Sequence, residues 1–461
     1  MSNATNISPH DIVSGLDWRR LTAQRWFRQK SSDSGHVDFV DGWPVFRKDV
    51  LHGWWLLIRV TSDTESIDYQ LSVVLTTYPQ PQDEILGTCK HGNDTLSIID
   101  GIGDPVILAS LLKGGVSQFA RGTVETGTRT DTLLSFDELT NLPAESTNSL
   151  VKIGSSHLLK VYRAIDAGGT RETELLAALA TAKVTSVPSL EASVEYRVDN
   201  NRFALAIVQE WIEGAEDAWS WLTRSLADGP CDIADDVVAM ADAVCEVHRG
   251  LRGTGSRSWS ASDSDDLKRR IFDGIARVER SLVDATHYRD VLQQARELVT
   301  TTVPPISGRL HAVHGDLHLG QLLRQSRNRS TRYRVIDFEG EPLASLDERM
   351  AWHSPMKDVA GMLRSFDYAV GFARKVGAPG DADEWNVWLR ECEMTFLDRY
   401  WAHESDSGVD RVEAESLLAL TVIEKALYEI AYEAVTRPDW IDIPLGGLSR
   451  ALSRLCVNRH E

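Results

Sequence analysis

The first part of the chain carries short hydrophobic runs separated by turn residues. β-Branched and aromatic residues cluster at 43–46, 54–60 and 71–77, a pattern typical of strands. Pro44 has no amide hydrogen to donate to a neighbouring strand, so its run is expected at a sheet edge. Residues 1–90 are therefore predicted to form a small, mostly antiparallel β subdomain with helical edges.

Strand-like runs continue to about residue 210, and two segments with helical periodicity interrupt them. The predicted elements alternate along the chain and describe a mixed segment at 91–213. Its strands are predicted at 95–99, 118–124, 149–153, 158–162 and 203–210, and its helices at 104–112 and 171–183.

From residue 214 onward, apolar residues recur at helical spacing and the predicted strands become short. The chain is thus predicted to have three parts, at 1–90, 91–213 and 214–461, the last of them mostly helical. Its helices are predicted at 216–227, 232–250, 263–299, 355–376, 383–402 and 411–436, and its strands at 310–313, 321–324 and 333–338.

Composition and charge narrow the possible functions. The chain has 461 residues and a formal net charge of −19, which disfavours binding to nucleic acid or to an anionic membrane. The N-terminus lacks the apolar core of a signal peptide, and no apolar run reaches transmembrane length. The five cysteines show no metal-ligand spacing, which favours free thiols in a reducing compartment. We expect a cytoplasmic protein with no nucleic-acid or membrane partner.

Two motifs after residue 310 carry the candidate chemistry. Residues 314–321 read His-Gly-Asp-Leu-His-Leu-Gly-Gln, and residues 337–342 read Asp-Phe-Glu-Gly-Glu-Pro. Protein kinases place a base aspartate, an asparagine five residues later and a metal-binding aspartate in this order. By the same spacing, Asp316 is predicted to be the base that takes the proton of an acceptor hydroxyl. Gln321 and Asp337 are predicted to ligate Mg²⁺ through oxygen.

Three neighbouring residues receive secondary roles. Glu339 stands at the position of the glycine in the kinase motif and is expected either to assist a metal ion or to brace the loop. His314 is expected to orient the loop by hydrogen bonding, and His318 to be either structural or substrate-facing.

The motifs together predict phosphoryl transfer from ATP to a small molecule. The predicted fold is α+β: a bilobal, protein-kinase-like fold with an N-terminal β-rich cap and a mostly helical C-lobe.

A lysine in an apolar strand suggests the nucleotide side of the site. Kinases pair such a lysine with a helix glutamate and use it to hold the α- and β-phosphates. Lys160 is the predicted lysine, and Glu174, fourteen residues later, is its predicted partner. Glu172 is the rival partner, two residues earlier and on a different face of the helix.

Two further segments are predicted to bind ATP. Ser146 and Asn148 lie where a phosphate-covering loop is expected, although the segment lacks the glycine-rich pattern. The Glu210 carbonyl and the Ile212 amide follow the last strand before residue 214, where a kinase hinge binds adenine.

The helix at 421–433 is the candidate acceptor site. Its proposed sugar-binding side chains lie at i, i+4 and i+8 and are followed by an arginine and a tryptophan, which suits a carbohydrate cleft. The alternative is a solvated face with ion pairs, which suffices for Lys425 and Glu429. The predicted acceptor-binding residues are Glu424, Tyr428, Tyr432, Arg437 and Trp440, together with His318.

In these features the chain resembles the actinobacterial maltokinases, members of the aminoglycoside-phosphotransferase-like kinases. The similarity lies in residues 21–27, in both catalytic motifs, in 354–369 and in 424–440. It implies ATP- and Mg²⁺-dependent phosphorylation of the anomeric hydroxyl of maltose, giving maltose 1-phosphate, a precursor of α-glucan. Because the family also occurs fused to trehalose synthase, the resemblance further implies a functional association with that enzyme.

Other acceptors stay open at this point. A glucosamine or other sugar kinase on the same scaffold would differ only in the acceptor pocket, where an amine needs an extra acid that Glu424, Glu429 or Glu433 could supply. An aminoglycoside phosphotransferase is disfavoured by the C-terminal motif and the N-terminal cap. A non-catalytic nucleotide-binding module is disfavoured because both Asp316 and Asp337 are present.

Overall fold

The chain folds into two compact units. The first comprises Met1–Glu174 and Pro188–Glu213, and the second comprises Leu175–Val187 and Gly214–Glu461. The computed structural model describes residues 7–457 apart from 31–33, 49, 64, 113–116, 119–120, 129–135, 137, 144–146, 168–170, 283–287, 303–307, 328–329, 342–343, 345 and 405–410.

The first unit begins with an antiparallel sheet flanked by short helices. The sheet order is β1-β2-β3-β5-β4, with β11 on β3, so Pro44 lies in the edge strand as predicted. β4 and β5 form a hairpin on either side of residues 92 and 93, close to the predicted boundary at residue 90. These elements are α1 (Pro9–Ser14), α2 (Trp18–Ala23), β1 (His36–Arg47), β2 (Val50–Thr61), β3 (Ser66–Thr76), β4 (Ile85–His91), β5 (Asp94–Asp100), α3 (Pro105–Leu112) and β11 (Ala164–Ile165).

A seven-stranded antiparallel sheet completes the first unit. Its order is β6-β7-β12-β13-β10-β9-β8, and β12 is a strand that the sequence analysis did not predict. The elements are β6 (Ser117–Gln118), β7 (Thr123–Thr128), β8 (Leu139–Leu142), β9 (Ser149–Ile153), β10 (His157–Val161), β12 (Leu190–Val198) and β13 (Asn201–Glu210). Helix α4 (Arg171–Thr181) begins in this unit, and its residues from Leu175 onward belong to the second unit.

One hydrophobic core joins both sheets of this unit. Trp43 and Trp55 stack with ring centroids 5.7 Å apart and pack in the same cluster as Val151 and Leu159 of the second sheet. Leu205 is fully buried in that cluster. Burying such residues stabilises the unit by roughly 1.5–3 kcal/mol per large side chain.

The segment at 21–27 packs on the other face of the first sheet. Leu21, Trp26 and Phe27 are buried there, and Phe27 stacks on Tyr69 of β3 at 5.1 Å between ring centroids. This part of the family resemblance is therefore a packing motif, in which aromatic rings cover the sheet.

The second unit is mostly helical, and its helix α10 is buried along most of its length. No helix within the described ranges has both the length and the apolarity needed to cross a membrane. The helices are α5 (Ala218–Ser225), α6 (Ala234–Arg252), α7 (Ala261–Ser281), α8 (Arg289–Thr301), α9 (Leu346–Met350), α10 (Met356–Lys375), α11 (Ala382–Glu404), α12 (Arg411–Thr436) and α13 (Asp442–Val457).

Short strands in this unit position the catalytic motifs. They form a sheet β14-β17-β18 and a separate pair β15-β16. Residues Leu319–Gln321 form a 3₁₀ turn directly before β17, and His314 follows β16 by three residues. The strands are β14 (Glu216–Asp217), β15 (Ser256–Ser258), β16 (Arg309–His311), β17 (Leu322–Arg327) and β18 (Ser330–Val335).

Candidate active site

His314 orients the loop that carries Asp316. Its Nε2 lies 2.8 Å from the Ile336 carbonyl oxygen, and its Nδ1 accepts a hydrogen bond from the Asp316 amide at 3.3 Å. A proton on Nε2 satisfies both contacts. Gly315 has a φ of 92°, a conformation that glycine adopts without a steric penalty. The predicted orienting role of His314 is confirmed by this geometry.

Asp358, on the first turn of α10, braces the same loop from behind. Its carboxylate accepts hydrogen bonds from the amides of His314 at 2.7 Å and Gly315 at 2.8 Å, and from His248 Nε2 at 3.0 Å. The other ring nitrogen of His248 lies 2.9 Å from the Tyr400 hydroxyl. Burial raises the pKa of Asp358, but the hydrogen bond and charge of His248 outweigh it and lower the pKa overall. This role was not predicted.

A single face of α10 contacts the catalytic loop. Asp358, Gly361 and Ser365 are spaced by three and four residues, which puts them on one side of a helix. A Cβ at Gly361 would lie 2.1 Å from the Leu317 carbonyl oxygen, so only glycine permits this approach. Ser365 Oγ accepts the Leu319 amide at 3.1 Å. The motif at 354–369 therefore encodes the support of the loop.

The residues predicted to hold a metal ion come together at the end of β18. Asp337 has a φ of 65°, which is uncommon outside glycine and re-aims the chain as it leaves the strand. Gln321 Nε2 donates to Asp337 Oδ2 at 3.1 Å, and carboxylate oxygens of Asp337 and Glu339 lie within 4.8 Å of each other. Two carboxylates and an amide that can turn its oxygen inward fit the oxygen preference of Mg²⁺.

Lys425 of α12 points at the predicted base. Its Nζ lies 3.5 Å from Asp316 Oδ1 and 3.3 Å from Glu341 Oε1, and its side chain is 23% exposed. Burial lowers the pKa of Lys425, but the charges of Asp316, Glu341 and Glu429 outweigh it, so the pKa is raised and the ammonium group stays charged. The expectation of a solvated ion pair between Lys425 and Glu429 is wrong, because the Lys425 ammonium group contacts Asp316 and Glu341 instead.

Each predicted acid of α12 bonds to an arginine. Glu424 Oε1 lies 2.6 Å from Arg270 Nε, and Glu429 Oε2 lies 2.8 Å from Arg364 Nε. Glu433 is buried and accepts hydrogen bonds from Arg437 at 2.6 Å and from the Tyr368 hydroxyl at 3.0 Å. The charge of each of these three carboxylates is therefore balanced by an arginine.

Aromatic rings form two groups near the end of α12. Tyr428 and Tyr432 stack at 6.4 Å between centroids with an interplanar angle of 15°, on one face of the helix as predicted. Lys425 Nζ lies 5.7 Å from the Tyr428 ring, which connects this pair to Asp316.

The second aromatic group surrounds Trp440, in the 3₁₀ turn Pro438–Trp440. The Arg437 guanidinium lies 4.8 Å from its ring centroid, and Phe372 lies 6.1 Å from it. Arg437 thus couples Trp440 to the buried Glu433. His318 lies on the catalytic loop, two residues after Asp316. Its Nδ1 accepts a hydrogen bond from the Gly320 amide at 3.1 Å and caps the turn before β17.

In the first unit, the buried lysine pairs with Glu172 rather than Glu174. Lys160 Nζ lies 2.7 Å from Glu172 Oε2, which also accepts from the Tyr162 hydroxyl at 2.8 Å. Glu174 is 43% exposed and lies 3.9 Å from Arg202. The predicted partner is wrong because two residues of helix turn the side chain through about 200°.

The remaining nucleotide-site predictions that fall on described residues belong to the first unit. Asn148 is buried, and Ser146 lies outside the described residues. Glu210 ends β13, and its amide donates to the Ser189 carbonyl at 2.9 Å. The buried Ile212 follows two residues later, in the stretch where the hinge was predicted.

Comparison with known proteins shows that the chain is similar in sequence to glucosamine kinases. A glucosamine kinase of Mycolicibacterium smegmatis is 26% identical over 383 residues, covering 79% of this chain and 84% of the relative. A glucosamine kinase of Streptacidiphilus jiangxiensis is 26% identical over 319 residues, covering 65% and 70%.

Solved structures share the fold. A glucosamine kinase in complex with glucosamine, ADP and inorganic phosphate aligns over 94% of this chain and 99% of its own, with a TM-score of 0.67 and 19% identity. Another crystal form gives a TM-score of 0.66 at 20% identity, over 95% and 98%. The predicted α+β, kinase-like fold with a β-rich N-terminal part is confirmed. Since residues 138–402, more than half of the chain, match the phosphotransferase enzyme family, the protein belongs to that family.

Proposed function

We propose that this protein transfers the γ-phosphoryl group of ATP to a hydroxyl group of a neutral sugar. The observation that carries the proposal is Asp316, held by α10 and His314 on a loop adjoining the Gln321–Asp337 pair. In this family such a carboxylate is suited to orient an acceptor hydroxyl and take its proton.

The chain's own residues divide the work of the reaction. Asp316 accepts the hydroxyl proton as the acceptor oxygen attacks phosphorus. Lys160, oriented by Glu172, donates to phosphate oxygens of ATP. Gln321 and Asp337 would hold a Mg²⁺ ion, which would supply positive charge to neutralise the phosphates.

Maltose is the acceptor we propose, with the anomeric hydroxyl as its reacting group and maltose 1-phosphate as the product. The motifs at 354–369 and 424–440 are the specific part of the resemblance to the maltokinases. The stacked Tyr428 and Tyr432 offer an aromatic surface near Lys425, which suits the apolar face of a sugar ring. A functional association with trehalose synthase stays a prediction from the same resemblance.

Glucosamine is the second candidate acceptor. It is favoured by the similarity of the chain to two glucosamine kinases and by the aligned glucosamine kinase structure. Its ammonium group needs a carboxylate whose charge is not already paired with a cation. Glu424, Glu429 and Glu433 are each bonded to an arginine. The charge balance of α12 therefore supports maltose over glucosamine.

A coupled ADP-release assay with ATP and Mg²⁺ tests the proposal over maltose, glucose, glucosamine, trehalose and an aminoglycoside. We expect the highest kcat/KM for maltose, with loss of its reducing end as the anomeric hydroxyl becomes phosphorylated. Preference for glucosamine would overturn maltose and keep the sugar kinase. Turnover of the aminoglycoside alone would overturn both.

Glu172→Gln tests the nucleotide site. The variant loses the charge that holds Lys160, and a hydrogen bond to a charged group contributes roughly 1.5–3 kcal/mol, so KM for ATP should rise about tenfold or more. Glu174→Gln is the matched control, because Glu174 is largely exposed and contacts Arg202 only at 3.9 Å. A larger KM increase in the Glu174 variant would contradict this assignment and support Glu174 as the functional partner of Lys160.

A further inference from the structure

We infer that Lys425 is an acceptor-binding residue that selects neutral sugars and rejects amino sugars. The inference rests on the proposed sugar kinase function and specifies the class of substrate. It starts from the position of the Lys425 ammonium group beside Asp316, the predicted base.

The surroundings of Lys425 are balanced in charge. The carboxylates that face it are Asp316 from the catalytic loop, Glu341 from the segment after β18, and Glu429 from α12 itself. Glu429 bonds to an arginine, and Glu341 has a second lysine, Lys357, at 3.5 Å from its Oε2. Two lysines therefore oppose Asp316 and Glu341, and no net negative charge remains in this group to attract an ammonium ion.

The reaction geometry places the acceptor next to this lysine. An acceptor hydroxyl must come within hydrogen-bond distance of Asp316, whose Oδ1 lies 3.5 Å from Lys425 Nζ. The substituent on the neighbouring ring carbon then lies within a few ångströms of the ammonium. A hydroxyl there accepts a hydrogen bond from Lys425, whereas an ammonium meets a like charge in a partly buried setting, a difference of roughly tenfold to a hundredfold in kcat/KM.

Glucose and glucosamine are the probe pair, because they differ only in one hydroxyl or amine. The measured quantity is the ratio of kcat/KM for glucose to that for glucosamine, with maltose run in parallel. For Lys425→Met, which leaves Asp316 and Glu341 in excess, we expect this ratio to fall at least about tenfold. Lys425→Arg, which keeps the charge, should keep a ratio near that of the wild type.

Lys357→Met is the matched control for charge removal. It takes one positive charge from the same Glu341, but Lys357 contacts the other carboxylate oxygen, whereas Lys425 also contacts Asp316, so the ratio should change less than in Lys425→Met. An equal fall in both variants would overturn the assignment to Lys425. So would an unchanged ratio in Lys425→Met with normal thermal unfolding, although the proposed function would stand.

The wild-type enzyme gives a second test if Lys425→Met does not fold. A sugar amine has a pKa of about 8, as a peptide α-amino group does, while Lys425 stays charged. The kcat/KM for glucosamine relative to glucose should therefore rise with pH between about 6.5 and 9. A flat or falling ratio, or a wild-type preference for glucosamine, would overturn the inference. Failure to phosphorylate any sugar would instead overturn the proposed function itself.

Discussion

Asp316→Asn should lower kcat by about 10²- to 10⁴-fold and leave the affinity for nucleotide nearly unchanged. Asparagine keeps the size of the side chain and the backbone bond from Asp316 to His314, so the loop should stay in place. What it loses is the ability to take a proton. A transition-state interaction of this kind affects kcat and kcat/KM together, with little effect on binding in the ground state.

Glu341→Gln is the control that separates base chemistry from charge pairing. Both carboxylates contact the Lys425 ammonium, Asp316 at 3.5 Å and Glu341 at 3.3 Å. If the loss in Asp316→Asn reflects proton transfer, Glu341→Gln should lose far less activity. Equal losses would mean that the charge around Lys425 is what matters. Near-wild-type kcat in Asp316→Asn would remove the assignment of Asp316 as base. ADP-release kinetics and calorimetric titration of ADP measure the two quantities.

Local spacing was sufficient to predict the residues that share one loop. Asp316 and Gln321 lie five residues apart, and Asp337 follows the next hairpin, so the chain itself brings them together. The pairing Gln321–Asp337 needed no long-range information beyond a two-stranded connection.

Residues that act from distant helices were not predictable in this way. Asp358 and Lys425 reach the catalytic loop from α10 and α12, at sequence separations of 43 to 109 residues. Sequence periodicity marks only that these helices have a buried face, and it does not say which loop that face meets. Lys425 next to Glu429 at i+4 looked like a surface pair, because that local pairing is common on exposed helices.

The phase of a helix also depends on where it begins. Glu172 and Glu174 are both acidic and both close to the start of α4, and only the start at Arg171 decides which of them faces β10. Element boundaries are poorly encoded by periodicity, because the terminal turn makes few of the helix's hydrogen bonds. The same limit explains why the predicted single helix at 263–299 is two helices, α7 and α8.

Asp358→Ala should destabilise the protein by about 3–5 kcal/mol and lower kcat by roughly a hundredfold. The change leaves three donors without their acceptor: the amides of His314 and Gly315 and the ring of His248. Asp358→Asn should cost less, about 1–3 kcal/mol, since its amide oxygen can still accept from one or two of these groups. Released from its brace, the loop shifts, and a displacement of about 1 Å at the base suffices for the loss in kcat.

Asp367→Ala separates the two effects of the Asp358 substitution. Asp367 lies on the same helix and is nearly as buried, but its partners are Arg364 and Arg450 rather than the catalytic loop. Its removal leaves two guanidinium groups short of a carboxylate and should lower the free energy of unfolding by a similar amount. At a temperature where both variants are folded, kcat should be near wild type in Asp367→Ala and reduced in Asp358→Ala. Equal kcat values in the two variants would mean that Asp358 contributes stability alone, because of these two aspartates Asp358 is the one that bonds to the loop carrying Asp316.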